Sequence, residues 1–437
     1  MKYLGKIHIV YDGMWGSCGK GKFCGELAFD PSLNISICVN NNAPNAGHTF
    51  VFDDGRKVIT KHIPIGFVNK KIPFLVIGES AVIDYDRLVF ELEEYKDLLN
   101  GRKIYIADTA AVIEPKHKES ELKDLKSGST FSGAGAALVD KIMRKSPLVC
   151  KDKRFIELEN KGLIKIVPSK TFFSMIYNGM GGFKGNENIL VELSQGDALG
   201  LNNSFNYPHT TSRDCSPAQA LKDIHATDYS ANVRKYCIFR PYPIRINNNS
   251  VSGYNYTGDF EGANEISWKE VCKRCGLNSE EIEKLEHTTV THRLRRVSEF
   301  SIKQFAEMLL DTRPDECFLN FAEYIHSGIK DTTNQQARKL QKLFCKPEIM
   351  SDAKYTEIAE KNFALENTLG YVQDLEDCFN NLLKGNYLRI TKVGTGAKLS
   401  QTLDRKTLIK TSDDNHAINN LNPLDYADKN NVPTLEL

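Results

Sequence analysis

The chain has 437 residues and is 41% hydrophobic, enough to bury a substantial core, so long disordered stretches are not expected. Its 57 Lys and Arg against 56 Asp and Glu leave a formal charge of +1. That balance argues against nucleic acid as a partner, because duplex DNA attracts a concentrated basic face, but a small anionic ligand needs only a few local cations.

In chain order, Lys6–Val10 predicts a buried strand that runs into a glycine-rich turn, with a helix after it over about Gly21–Phe29. Ile35–Val39 and Phe74–Ile77 read as strands, Tyr85–Leu99 as a charged amphipathic segment and Ile104–Ile106 as another strand. Ile189–Leu193 and Cys237–Phe239 are further strands, and residues 265–310 read as helical with a polar interruption at Thr288–Arg296. Cys317–Phe321 and Leu388–Val393 close the list. Strands alternating with helices predict an α/β fold with a mainly parallel central sheet flanked by helices, whose ligand loops sit at the carboxyl ends of the strands. With no repeat and no break in composition, residues 1–437 are expected to form a single elaborated domain. The start lacks a signal-peptide pattern, and no apolar run approaches the roughly 18 residues of a membrane span, so no membrane is expected. Eleven cysteines without paired spacing, apart from the lone Cys272-x-x-Cys275, suit a reduced cytoplasm.

Two short segments carry chemistry. Gly16-Ser17-Cys18-Gly19-Lys20-Gly21-Lys22 stands between a strand and a helix, where backbone N–H groups and the helix N-terminus favour phosphate and Lys20 and Lys22 add charge. Its spacing is not that of the common P-loop, and alone it reads equally well as a solvated turn. Asn45-Ala46-Gly47-His48-Thr49 reads either as a turn holding one histidine or as a flexible glycine beside a general acid.

The order and separation of these two segments resemble the adenylosuccinate synthetases, and the likeness continues along the chain. Ile63–Gly66, Val76–Gly78, Ser127–Lys141, Glu192–Gly196 (ELSQG), Tyr207–Ser212 (YPHTTS), Thr291–Arg296 (THRLRR) and Gly394-Thr395-Gly396 resemble the family's remaining motifs in the family's order. The resemblance implies a P-loop-type α/β fold of that family and a ligase. Such an enzyme phosphorylates the purine 6-oxygen with a nucleoside triphosphate, then lets the amine of L-aspartate displace the phosphate. Mg2+ is the implied cofactor.

Residue by residue, the resemblance implies a triphosphate cradle of Gly16, Ser17, Gly19, Lys20, Gly21 and Lys22, with Arg295, Asn320, Gly394 and Gly396 on the same nucleotide. His48 would stabilise the transferring phosphoryl group, with Ser17 and Gln195 beside it as catalytic positions. Asn45, Ser129, Thr130, Gln195 and Thr211 would hold the monophosphate, joined by Arg144 from the neighbouring subunit of a homodimer. Thr291 and Arg293 would bind aspartate, and Ser17 and Gly47 would touch the metal. Taken singly, Asn45, Thr130, Gln195 and Thr211 also read as ordinary loop caps, and the arginines as a solvated cluster.

Three departures narrow the reading. Ser17 stands where the family has an aspartate that takes the purine N1 proton. Asn320-Phe321-Ala322 stands where a carboxylate reads guanine in GTP, so ATP or dATP is the expected donor. Ser132 replaces an arginine. Ser17 and Ala322 together resemble the bacteriophage 2-aminoadenylosuccinate synthetases, which act on dGMP for diaminopurine DNA. A diverged enzyme using IMP and GTP, or an inactive nucleotide-binding homologue, are the alternatives. Asp12 is a candidate replacement base or a turn-forming residue before Gly13.

Overall fold

The computed structural model describes residues 3–124, 130–145, 148–246, 256–287, 293–344 and 352–408. Its strands are β1 (Ile7–Asp12), β2 (Ile35–Asn40), β3 (His48–Val51), β4 (Lys57–Thr60), β5 (Phe74–Ile77), β6 (Val82–Ile83), β7 (Ile104–Ala107), β8 (Ala111–Val112) and β9 (Ile164–Val167). They continue with β10 (Asn188–Glu192), β11 (Val233–Phe239), β12 (Ile244–Arg245), β13 (Glu265–Ile266), β14 (Arg296–Ser298), β15 (Glu316–Leu319), β16 (Ile390–Gly394) and β17 (Thr402–Asp404). A 10-stranded sheet runs in the order β17-β16-β15-β11-β1-β10-β2-β5-β7-β9. Its pairings are parallel except β16 with β17.

The pleat divides the apolar residues between two cores. Ile7, Ile9 and Tyr11 of β1, with Ile189 and Val191 of β10, enter one. Val10, Cys38, Leu190 and Phe318 enter the other. Burial on both faces is why the central strands read as near-continuous apolar runs. The chain builds outward from β2 to β9, returns to set β10 between β1 and β2, and then builds outward the other way from β11. The carboxyl ends of β1, β10 and β2 therefore meet at a topological switch point, where open α/β sheets place ligands.

Three expectations change. After α1 (Lys20–Phe29), the amphipathic segment is two helices, α2 (Tyr85–Glu94) and α3 (Lys96–Leu99). The break at Tyr95 lets its hydroxyl accept from Ile59 N–H at 2.9 Å and donate to Ile59 C=O at 3.0 Å. Residues 265–310 are mixed rather than helical. Helices Trp268–Cys275, Ser279–Leu285 and Ile302–Thr312 alternate with β13 and β14, which join β12 in a three-stranded antiparallel sheet. A separate small core of Tyr242, Ile244, Trp268, Val271, Cys272, Ile282, Val297 and Tyr324 holds this unit, so Cys272 is a packed residue. Residues 288–292 of the expected interruption lie outside the described part. Finally β15 stops at Leu319, because Phe321 turns into the left-handed region at φ 61°. Among the described residues, no helix is long and apolar enough to cross a membrane.

Candidate active site

The GKGK turn leaves the end of β1 and enters α1 through Gly19 at φ 88°. One side chain makes glycine obligatory at two facing points. A Cβ on Gly19 would stand 2.1 Å from Asn320 Nδ2, and one on Gly394 2.0 Å from Asn320 Oδ1. Asn320, buried, also donates from Nδ2 to Cys18 C=O at 3.0 Å, so it props the turn against the loop after β16. Gly21 lies directly on β3, where a Cβ would be 2.6 Å from Thr49 O and 2.7 Å from Thr49 N. This contact sets the Asn45–Thr49 loop beside the GKGK turn.

His48 begins β3, opposite Thr60 of β4. Its Nδ1 makes a short contact with Glu192 Oε1, the last residue of β10, and both side chains are buried. Glu192 Oε2 accepts from Ile65 N–H at 2.9 Å, so the carboxylate is itself fixed. In the tautomer whose Nδ1–H donates to this carboxyl group, the ring presents Nε2. That atom is buried and has no partner among the described residues.

Lys20 is buried, 3.7 Å from Asp12 Oδ2, and its Nζ donates to Gln195 C=O at 2.5 Å. Burial alone would lower its pKa, but the Asp12 carboxylate carries it above the ordinary lysine value. Gln195 adopts φ 62°, which turns that carbonyl inward. Asp12 accepts at Oδ1 from Met14 N–H (2.8 Å) and Gly16 N–H (3.2 Å). It is a buried turn anchor and counter-ion to Lys20, the turn-forming alternative for this residue. Ser17 is exposed at the tip of the turn with φ 55°.

Lys22 departs from its expected use. Its ammonium donates to Gly396 C=O (2.7 Å) and Gln401 C=O (2.6 Å), closing the loop after β16 onto α1, and burial lowers its pKa to about 8. Arg295 is likewise engaged: Nη1 donates to Glu286 at 3.2 Å, and Glu286 also receives Arg240 at 2.6 Å and the Tyr324 hydroxyl at 2.6 Å. Burial tends to raise the Glu286 pKa, but the two guanidinium groups hold it below the usual range. Arg240 in turn lies over Phe321, 4.2 Å from the ring centre, and donates to Ser17 C=O at 3.3 Å. Ala322 is fully buried in the main core.

The segments that carry Gln195 and Thr211 meet through the backbone. Thr211 N–H donates to Leu199 C=O at 2.8 Å, just past Gln195. Two residues on, Arg213 bonds Asn41 C=O in the loop before Asn45, Ser80 C=O at 3.1 Å and Asp223 at 2.7 Å. Asn45 and Thr130 are half-buried and Gly47 is exposed. The amides of Gly133, Gly135 and Ala136, which open helix Ala134–Ile142, are taken by the buried Glu121 carboxylate. That helix start is thus closed to phosphate, and Thr130 stands before it. Arg144 is exposed just beyond the helix, at φ 60°. Arg293 is half-buried at the edge of the small sheet. Ser129 and Thr291 lie outside the described residues.

A hard cation such as Mg2+ takes oxygen ligands and commonly keeps waters and substrate phosphates. Among the described residues, no group of three or more His, Cys, Asp or Glu side chains could hold a metal. The exposed Ser17 hydroxyl and Gly47 carbonyl fit an ion that is brought in largely by the phosphates. Sequence reading missed Glu192, Arg213, Arg240 and Glu286. Glu192 sits inside the ELSQG segment, but only the fold reveals that it faces His48; the others carry no local motif.

The model of the adenylosuccinate synthetase family matches residues 9–162. The chain is 32% identical over 350 residues to the N6-succino-2-amino-2'-deoxyadenylate synthase of Vibrio phage phiVC8, covering 78% of this chain and 94% of that protein. It is 28% identical over 400 residues to the adenylosuccinate synthetase of Methanococcus vannielii, covering 91% and 98%. Among solved structures it resembles the cyanophage S-2L succinoaminodeoxyadenylate synthetase bound to dGMP and dATP as an energy donor. There the TM-score is 0.69 at 27% identity, over 92% of this chain and 95% of that one.

Proposed function

Since the chain belongs to the adenylosuccinate synthetase family and is a carbon–nitrogen ligase, we propose that it joins L-aspartate to C6 of dGMP with ATP or dATP as donor, giving 2-amino-2'-deoxyadenylosuccinate. The observation that carries the choice of dGMP is Ser17, exposed at the tip of an otherwise family-like phosphate turn. A short uncharged residue there leaves room for a purine 2-amino group, which an aspartate would crowd.

As the purine N1 proton passes to solvent, the 6-oxygen attacks the γ-phosphorus; the new O–P bond forms, the bond from the γ-phosphorus to the β-phosphate oxygen breaks and the nucleoside diphosphate leaves. The neutral aspartate amine then attacks C6, gives up one proton to solvent, and the C6–O bond breaks with departure of inorganic phosphate. This chemistry asks the protein mainly for positioning and charge stabilisation. The backbone from Gly16 to Gly21, with Lys20, cradles the triphosphate. His48 Nε2, its ring fixed by Glu192, meets the transferring phosphoryl group. Ser17 and the Gly47 carbonyl would hold Mg2+, which would supply charge neutralisation at the phosphates. Asn45, Ser129, Thr130, Gln195 and Thr211 take the monophosphate, and Thr291 and Arg293 the aspartate carboxylates. Arg295 serves the triphosphate side through its place beside Glu286, and Lys22 through the Gly394–Gly396 loop it closes.

We read the enzyme as a homodimer in which Arg144 reaches the partner's monophosphate. Supporting this, Val139, Ile142 and Met143 beside it are 58%, 73% and 55% exposed, an apolar face suited to a second copy. The reading of one domain is supported by a single sheet whose strands run from Ile7 to Asp404. The phage relatives support work in a host cytoplasm. Mass spectrometry of reactions with aspartate, Mg2+, dGMP, GMP or IMP, and ATP, dATP or GTP is the test. The succinyl product is expected from dGMP with an adenine donor; product from IMP alone would refute the substrate.

A further inference from the structure

The turn Ala322–Tyr324 follows β15, two residues after Asn320, whose side chain lies against both Gly19 of the GKGK turn and Gly394. Ala322 faces the core, so the residue where the family resemblance places the guanine reader offers nothing to a base. The next residue differs. Glu323 Oε2 is buried and has no hydrogen-bond partner among the described residues. Lys22 from α1, Arg240 from the end of β11, Glu286 beyond helix Ser279–Leu285, Cys275 at the end of its helix and Tyr324 of the same turn all lie within its field. Neither cation bonds it: Lys22 is committed to the Gly396 and Gln401 carbonyls, and Arg240 to Glu286 and Ser17. A shielded carboxyl oxygen left without a partner is costly unless a ligand completes it.

We propose that Glu323 reads the base of the triphosphate donor, its neutral carboxyl pairing with adenine and its ionised form with guanine. The edge of adenine offers one acceptor, N1, and one donor, the 6-amino group. A neutral carboxyl offers the complementary O–H donor and C=O acceptor. The edge of guanine offers two donors, N1–H and the 2-amino group, which the two oxygens of a carboxylate accept. Burial lifts the carboxyl to about 7 against a hydrogen bond from its own backbone N–H and the pull of Lys22 and Arg240, and Glu286 adds to the rise. Both forms are therefore populated near neutrality, and donor preference becomes dependent on pH. Adenine is favoured below about 7, with guanine gaining above.

The inference rests on the triphosphate site of the proposed function, so its test reads binding rather than ligation. Calorimetric titration of the full-length protein with the β,γ-imido analogues of ATP and GTP, in Mg2+, from pH 6 to 8.5 gives the ratio of their affinities. The ratio for the unmodified protein is expected to fall by about tenfold across that range, the scale of one lost pairing. Glu323→Gln, whose amide keeps one donor and one acceptor, should hold the adenine preference flat with pH. Glu323→Ala should bring the ratio near one. A Gln variant that keeps the pH-dependent ratio overturns the proposal, and being nearly isosteric it decides the matter even if the Ala variant fails to fold. If the ratios behave as expected while no monophosphate is ligated, the proposed function fails and the base reader stands.

Discussion

Glu192 touches His48 through one oxygen and the Ile65 backbone through the other, so it acts on the reaction only by holding the imidazole. Glu192→Gln keeps the shape and the Ile65 contact but no longer demands the proton on Nδ1. Loss of such an orienting partner usually costs about 10- to 100-fold. We expect kcat to drop by that factor with little change in KM for aspartate, in steady-state assays. A change confined to KM would mean that the dyad is structural. Ala322 is a second residue whose surroundings decide the outcome. Because it lies in the core, Ala322→Asp is expected to destabilise the fold by about 3 kcal/mol, since a buried carboxylate there finds no partner. Urea unfolding measures this: a lowered midpoint agrees with the proposal that the donor base is read at position 323 rather than 322, a distinction that the spacing of Asn320-Phe321-Ala322 did not contain, and an unchanged midpoint would show that position 322 is open to a ligand.

At the scale of elements, α1 is legible in the sequence and its surroundings are not. The strand–turn–helix order, the parallel strands and the GKGK and NAGHT loops all follow from apolar runs and glycine placement. What the helix presses against depends on contacts between segments far apart in the chain. Gly21→Ala illustrates the difference. Helix propensity alone favours alanine by about 1 kcal/mol, but the added methyl meets backbone atoms of Thr49 that cannot move aside. Overpacking of this kind costs about 1–3 kcal/mol and should win. A lowered urea midpoint, together with weaker triphosphate binding, is the expected result. Lys22 gives the same lesson in charge. Its folded pKa of about 8 lies below the ordinary 10.5, so between those values the unfolded chain binds more protons and stability rises with pH. The burial penalty is fully present below pH 8 and relieved toward 10.5. Lys22→Met should flatten that rise, so the stability difference between unmodified protein and variant should shift in favour of the unmodified protein from pH 7 to 10. Parallel profiles would place the ammonium in water. The mixed small sheet at β12–β14 was illegible for a related reason: strands of two or three residues are too short to show a period, and their pairing spans tens of residues.

At the scale of the whole molecule, the apolar end of helix Ala134–Ile142 and the exposed Arg144 beyond it predict shared sites. Mixing Arg144→Ala subunits with His48→Ala subunits should restore activity, because a hybrid dimer carries one intact site. No recovery after subunit exchange, verified by native mass spectrometry, would remove Arg144 from the partner's site. The position of β1 bears on how the chain is made. Strands β2, β5, β7 and β9 can assemble side by side as they leave the ribosome, but β1 pairs with β10 and β11, whose residues arrive only at 188–192 and 233–239. β1 is thus made well before both of its neighbours and can be seated only after them, in a slot between two late strands, and non-local parallel pairing of this kind is slow and leaves strand edges open meanwhile. A nascent chain stalled before residue 188 carries the complete GKGK turn on a strand with no place to dock. Protease should cut such a chain within its first thirty residues, and protection should appear only once β11 has emerged.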